Sequence, residues 1–396
     1  MRRAEMSTIE YYTPTRVIFG KGAENSAGKI LKEIGARKVL IHYGGGSAIE
    51  SGLMDRVTNS LETEQIEFFM LGGVKPNPRL SLVREGIDII KAKNIDSIIA
   101  VGGGSVLDSA KAIGYGAFND GDVWDFYCGK RTPDGTLPVG CVLTLSATGS
   151  EMSDSSVINN DEGDIVLKRG CNSPFGRLKF SLLNPELTYT VSKYQTASGS
   201  VDIMMHTLER YFHKGYTLDL TDELSFTILK TVMKYAPIAL KEPNNYDARA
   251  NLMWAGSLSH NGLTNAGNEN RGDWACHQIE HELSAEHDVT HGAGLAAIWG
   301  SWARWVISED EEKFVKLGIS LFGEKDPYKC IELMENFFKS IDMPTNLNEL
   351  GLNFDEESCR FAAKGVTFQD TRTVGSFKVL TTEDIYNIYL DAAGLK

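Results

Sequence analysis

His277, His281, His287 and His291 all fall within HQIEHELSAEHDVTHG, residues 277–292, although the whole chain of 396 residues has only eight histidines. His277 and His281 are four apart, as are His287 and His291, and on a helix each pair would share a face. Imidazole ligates metals and carries protons near neutral pH. A single histidine of this kind reads as part of a polar helix; four together ask for chemistry. A second segment, VDIMMHTLE, sets Asp202 and His206 at i, i+4 among Val, Ile, Met and Leu. A carboxylate on such a stretch is costly to bury unless it caps a helix, pairs with a cation or binds a metal. Together the two segments offer one carboxylate, several imidazoles and no thiolate, a set suited to Zn²⁺ or Fe²⁺. Cys276 adjoins His277, but neighbours on a helix point in different directions.

Three loops speak of a nucleotide. Both YGGGSAIE and VGGGSVLD follow an apolar run and precede a helical one. Glycines there let the backbone approach a ligand and reach positive φ, and a helix N-terminus favours phosphate. Gly44, Gly45 and Ser47 in the first, and Gly103, Gly104, Ser105 and Asp108 in the second, are candidate cofactor contacts. The competing reading is a pair of capping boxes, Ser47 with Glu50 and Ser105 with Asp108. Capping does not call for three glycines, and the spacing is not the Rossmann G-x-G-x-x-G. The third loop, TLSATGSE, brings the hydroxyls of Thr144 and Thr148. Sites for NAD usually place an acid against the ribose at a strand end. Gly44 stands there instead, which leaves room for a 2′-phosphate and favours NADPH.

The elements that must hold these residues change character along the chain. TRVIFG, KVLIHY, IEFFML and IDSIIAV read as strands, separated by helical segments such as NPRLSLVREGIDIIKAK. That alternation predicts an α/β dinucleotide-binding domain with a parallel, Rossmann-like sheet over residues 1–190. DIVLKRG and FSLLNP are shorter β-like pieces before the change. From about Val191 the segments are helical, predicting an all-α metal-binding domain over 191–396, with the site in the cleft between the two. The two GGGS segments are the only internal echo.

Bulk properties exclude several functions. A hydrophobic share of 42% with 23% charged residues is that of a globular protein. A formal charge of −13 argues against nucleic acid or an anionic membrane as partner. Six cysteines without close spacing predict free thiols of a reducing compartment. MRRAEMSTIEYY lacks the apolar core of a secretory signal, and no apolar run is long enough to span a membrane, so a cytoplasmic location is expected.

Read together, TPTRVIFGKGA, YGGGS, VGGGSVLDSAKAI, CVLTLSATGSE, KEPNNYDARANLMWAGSLSHNGL and DWACHQIEHELSAEHDVTHG resemble the iron-dependent (group III) alcohol dehydrogenases. The branch they are most similar to comprises NADPH-dependent butanol dehydrogenases and aldehyde reductases, and the likeness covers nearly the whole chain. It implies that Asp202, His206, His277 and His291 bind one divalent metal, Fe²⁺ or Zn²⁺. His281 would lie unliganded in the active site. Gly103, Gly104 and Ser105 would contact pyrophosphate, and Thr144, Thr148, Lys168 and Thr190 would line the cofactor site. NAD-preferring relatives carry Asp where Gly44 stands, which agrees with NADPH. Three residues depart from the pattern: Glu280 replaces a usual glycine, and Ser146-Ala147 replace Ala-Gly.

The reaction implied is reversible hydride transfer between NADPH and an aldehyde, such as butyraldehyde, giving the primary alcohol. His281 would relay the proton, and a homodimer or larger homo-oligomer is expected. Three other functions compete. HQIEH fits the H-x-x-E-H of a zinc metallopeptidase, which would leave the glycine loops and Asp202 unexplained. A metal-dependent lyase or synthase of the dehydroquinate synthase type would share the fold. A binding module would have little use for such a metal site.

Overall fold

The computed structural model describes residues 8–162, 166–268 and 271–396. DIVLKRG therefore lies partly outside the described residues. The chain forms two units, residues 13–191 and residues 8–12 with 192–396.

The first unit is built on strands β1 (Arg16–Phe19), β2 (Lys38–Tyr43), β3 (Glu67–Leu71), β4 (Ser97–Gly102), β5 (Val139–Leu143) and β8 (Phe180–Leu183). They pair in the order β3-β2-β4-β5-β8-β1, and every pairing is parallel. β6 (Ser155–Asn160) and β7 (Leu167–Asn172) make a separate antiparallel pair. The helices are α1 (Ala27–Glu33), α2 (Ser47–Glu50), α3 (Leu53–Thr63), α4 (Leu80–Lys93), α5 (Gly104–Phe118) and α6 (Trp124–Tyr127). Val39, Ile41, Ile99, Val101, Val142 and Leu182 are fully buried beneath Leu31 and Leu61 of the covering helices. This is why the central strands read as unbroken apolar runs: a parallel sheet is covered on both faces.

The chain runs from β2 to its outer neighbour β3, then crosses back to β4 on the other side of β2. Ligands of open α/β sheets sit outside the carboxyl ends of the strands at such a reversal. Tyr43 is level with Val101, and Gly102 with Leu143. The loops after β2, β4 and β5, which hold both GGGS segments and TLSATGSE, therefore stand side by side at that reversal.

The second unit holds α7 (Lys193–Tyr211), α8 (Asp219–Lys241), α9 (Tyr246–Ser259), α10 (Ala275–His287), α11 (His291–Val306), α12 (Glu311–Phe322), α13 (Pro327–Ser340), α14 (Glu356–Val366) and α15 (Thr382–Ala392). Among its described residues there is no strand. Its core joins Met204, Leu208, Tyr211 and Phe212 to Trp299, Trp302, Phe314 and Phe338. α7 is buried on all sides from Thr196 to Tyr211, and α8, α9 and α11 pack against it. No helix of the described residues is long and apolar enough to cross a membrane.

Candidate metal centre and nucleotide loops

α7 brings Asp202, His206 and Glu209 to one face through their i, i+4, i+7 spacing. Asp202 is 2% exposed and His206 4%. Onto this face comes the start of α11. A Cβ on Gly292 would collide with the backbone oxygen of Ser198, one turn before Asp202. Only glycine lets the two helices approach so closely, and the approach sets His291 beside Asp202. Nε2 of His291 lies 3.8 Å from Asp202 Oδ1, and Nε2 of His277, from α10, lies 3.9 Å from the same oxygen.

Asp202, His277 and His291 offer ligand atoms that all lie within 4.8 Å of one another. His206 stands next to them, its ring centroid 4.6 Å from that of His277. Its Nδ1 meets the backbone oxygen of Asp202 at 2.9 Å, which leaves Nε2 as the nitrogen able to ligate. The buried Nε2 of His277 has no hydrogen-bond partner, and Oδ1 of Asp202 has near it only Nδ1 of His206, 3.1 Å away, a nitrogen that also meets the Asp202 backbone oxygen. Buried polar atoms are normally satisfied; an unpaired imidazole nitrogen 3.9 Å from a carboxylate oxygen fits a cation between them. The donor set is three nitrogens and one oxygen, which suits Zn²⁺ or Fe²⁺.

Electrostatics agree. Burial pushes the Asp202 carboxyl up, but the His206, His291 and His277 imidazoles outweigh it and hold the group well below the usual carboxylate range. Burial, reinforced by His206 and His291, holds His277 well below the ordinary imidazole value, in the neutral form that ligates. Glu209 accepts from Nδ1 of His277 at 3.0 Å. Burial pushes its carboxyl up to about 8.

His281 shares α10 with His277, four residues on, and its ring lies 5.7 Å from that of His291. It forms a second close group with Glu280 and His291. His287 is different. α10 ends there, Asp288 turns left-handed at φ 51°, and α11 begins at His291. The expectation that His287 and His291 share one helical face is therefore corrected. The His287 ring packs near Phe354, 5.4 Å between centroids.

Sequence reasoning missed three neighbours of this centre. Glu209 is one, although a second acid on the same apolar helix face was there to be read. His260 is another, its ring 4.1 Å from that of His206. Trp274 is the third, held left-handed at φ 63° under the Arg210 guanidinium, 4.5 Å away. The fold brings His260 to the histidines, whereas Trp274 stands one turn before His277, at the start of α10.

In the first unit the glycines act differently from expectation. None of Gly44–Gly46 or Gly102–Gly104 has positive φ among the described residues; close approach is what matters. A Cβ on Gly104 would collide with Oγ1 of Thr148, and one on Gly103 would lie 3.0 Å from Cβ of Leu145. The capping-box alternative fails, since neither α2 nor α5 has a side-chain cap. Asp108 instead accepts from Ser150 Oγ at 2.6 Å and from the Val157 backbone N–H at 3.0 Å. It thereby ties α5 to the third loop and to β6. Ser105 is the second residue of α5, a helix of 15 residues, whereas Ser47 opens only the single turn of α2. The helix-dipole argument thus applies to the second loop alone.

Gly45 and Ser47 lie exposed in the first loop. At Gly44 a Cβ would meet only Val74 O at 3.5 Å and Val106 Cγ2 at 3.7 Å, so packing does not demand glycine there. Thr148 Oγ1 accepts from the Ser150 N–H, and Thr144 is half-buried, its N–H bonded to Gly102 O. Ser146 Oγ is buried without a hydrogen-bond partner, a donor suited to a nucleotide. Lys168 is buried on β7, and its charge pulls on Asp108. Thr190 is exposed beyond β8.

Comparison with known proteins accords with both halves. The family described as iron-containing alcohol dehydrogenase matches residues 14–185, and the Fe-containing alcohol dehydrogenase C-terminal family matches residues 196–393. NADH-dependent butanol dehydrogenase A of Clostridium acetobutylicum is 41% identical over 392 residues, covering 97% of this chain and 99% of that protein. The NADPH-dependent aldehyde reductase YqhD of Escherichia coli is 36% identical over 360 residues, covering 88% and 90%. The crystal structure of NADH-dependent butanol dehydrogenase A from Thermotoga maritima superposes with a TM-score of 0.94 at 36% identity, covering 99% of this chain and 100% of that one.

Proposed function

The chain belongs to the iron-containing alcohol dehydrogenase family and is an alcohol/aldehyde oxidoreductase; from that premise we propose that it reduces small aldehydes such as butyraldehyde with NADPH, reversibly. The observation that carries the reading is the convergence of Asp202, His277 and His291 ligand atoms within 4.8 Å, with His206 alongside. When bound, a divalent cation supplies Lewis acidity toward a carbonyl oxygen and the nicotinamide supplies the hydride.

The residues themselves bind, orient and move protons. Asp202, His206, His277 and His291 hold the cation. Glu209 holds His277 in the tautomer whose Nε2 is free to ligate. His281 is the proton carrier for the alcohol oxygen, since it stands among these histidines without belonging to the ligand set. Backbone N–H groups at Gly103, Gly104 and Ser105 receive pyrophosphate at the start of α5. Thr144, Thr148, Lys168 and Thr190 complete the nucleotide site, and Asp108 keeps the third loop in place.

NADPH is proposed because Gly44 leaves both space and no negative charge at the end of β2. A second reading, NADH, is favoured by Glu50. Its Oε1 lies 3.1 Å from where a Cβ on Gly46 would stand, so a carboxylate folds over the first loop where a 2′-phosphate would meet it. Two of the relatives above are also named as NADH-dependent. Measuring kcat/KM for NADPH and NADH with butyraldehyde decides: a clear excess for NADPH supports the Gly44 reading, and equal or reversed values support the second.

A further inference from the structure

Glu280 sits inside the histidine cluster, directly before His281 on α10. Its side chain is fully buried, 0% exposed. It is in hydrogen-bond contact with Nδ1 of His291 through one carboxylate oxygen and with the Ser284 hydroxyl through the other. It lies against the first turn of α11: a Cβ on Gly294 would stand 2.8 Å from Glu280 Cγ. The space that Glu280 fills thus exists because residue 294 is glycine. A helix N-terminus favours a carboxylate, so α11, the Ser284 hydroxyl and His291 together offset the cost of burying it.

We propose that Glu280 is a positioning residue of the metal centre, acting through His291; this rests on the metal-centre reading above. The carboxylate accepts the Nδ1–H of His291 and thereby fixes the tautomer with its Nε2 lone pair turned toward Asp202. It also orients the ring and makes Nε2 a stronger donor. Carboxylate partners of ligating histidines do this generally, and their loss weakens metal affinity. Glu209 stands in the same relation to His277. Two of the three imidazoles thus have a buried carboxylate behind them, contributed by α7 for one and by α10 for the other.

The peptidase alternative assigned Glu280 a different task, as base to an attacking water. That requires a carboxylate open to substrate. Here it is enclosed and both oxygens are occupied.

The test is Zn²⁺ affinity of the metal-stripped full chain, measured by chelator competition, for Glu280→Met, Glu280→Gln and His291→Ala. Methionine fills the space over Gly294 without an acceptor; glutamine keeps an acceptor and drops the charge. Glu280→Met is expected to weaken Zn²⁺ binding by about 10–100-fold, and Glu280→Gln by less. The thermal midpoint of each metal-free variant separates a packing role, which lowers it and leaves the affinity of the folded protein alone. Should Glu280→Met not fold, Glu280→Gln decides in the same sense. Unchanged affinity in whichever of these folds, with His291→Ala losing metal, overturns the proposal for Glu280 only. Unchanged affinity in His291→Ala overturns the metal-centre reading, and Glu280 with it.

Discussion

Gly104 is closed against Thr148: any Cβ at the first residue of α5 would collide with the threonine Oγ1. Two of the three candidate nucleotide loops are thereby locked to each other by the absence of one side chain. Gly104→Val would push the third loop away from the strand ends and set a branched side chain where pyrophosphate is expected. The nucleotide KM should rise roughly tenfold or more, equivalent to about 1.4 kcal/mol of lost binding. Metal content should not change, because the proposed ligands Asp202, His206, His277 and His291 all belong to the other unit. A folded variant with unaltered KM would remove the loop from the nucleotide site.

Gly44→Asp tests cofactor choice. The site tolerates a side chain on packing grounds, with 3.5 Å to the nearest backbone oxygen. A carboxylate there should repel a 2′-phosphate and accept ribose hydroxyls instead. NADPH efficiency should fall while NADH efficiency holds or rises. Steady-state kinetics with both cofactors check this; a parallel fall in both would show that the position does not discriminate.

Much of this organisation was legible in the sequence, and the limits have physical causes. KVLIHY and IDSIIAV announced themselves because central parallel strands are apolar on both faces. Asp202 and His206 were visible because a charged pair on an apolar helix has few bland explanations. Partners distant in the chain were not legible. Nothing local says that Glu280 meets His291 across a helix break, or that Gly292 must be glycine because Ser198 passes beneath it. The His287–His291 spacing looked helical, yet Asp288 turns left-handed between them. Asp108 looked like a cap because its real partners, Ser150 and Val157, lie far along the chain.

His42 gives a pH signature in stability. It is fully buried on β2, Nδ1 2.9 Å from Leu71 O and Nε2 2.8 Å from Ser109 Oγ. Burial lowers its pKa from 6.5 to about 4. Between these values the unfolded chain binds a proton that the folded chain refuses, so stability falls as pH drops through that window. The loss levels off below about pH 4, where both states are protonated, and sums to roughly 3 kcal/mol. His42→Gln should abolish this part of the slope. Urea unfolding of both proteins at several pH values checks it; a pH-independent difference between them would contradict it.

His281→Ala should keep its metal and lose turnover. The residue lies near His291 but outside the group formed by Asp202, His277 and His291, so its removal would take away the proposed proton carrier, worth typically about 10²–10⁴-fold in rate. The loss should be greatest where proton delivery limits turnover, which a kcat–pH profile reveals. Undiminished activity across the profile would exclude it from the proton path.

The central claim is that one cation is held by Asp202, His206, His277 and His291, with His281 outside that ligand set as the proton carrier. Metal content of Asp202→Ala and His281→Ala, purified side by side, tests it most directly. The expected result is an Asp202→Ala protein nearly free of metal and inactive, beside a metal-replete His281→Ala protein. Asp202→Ala retaining its metal while His281→Ala loses it would contradict the claim.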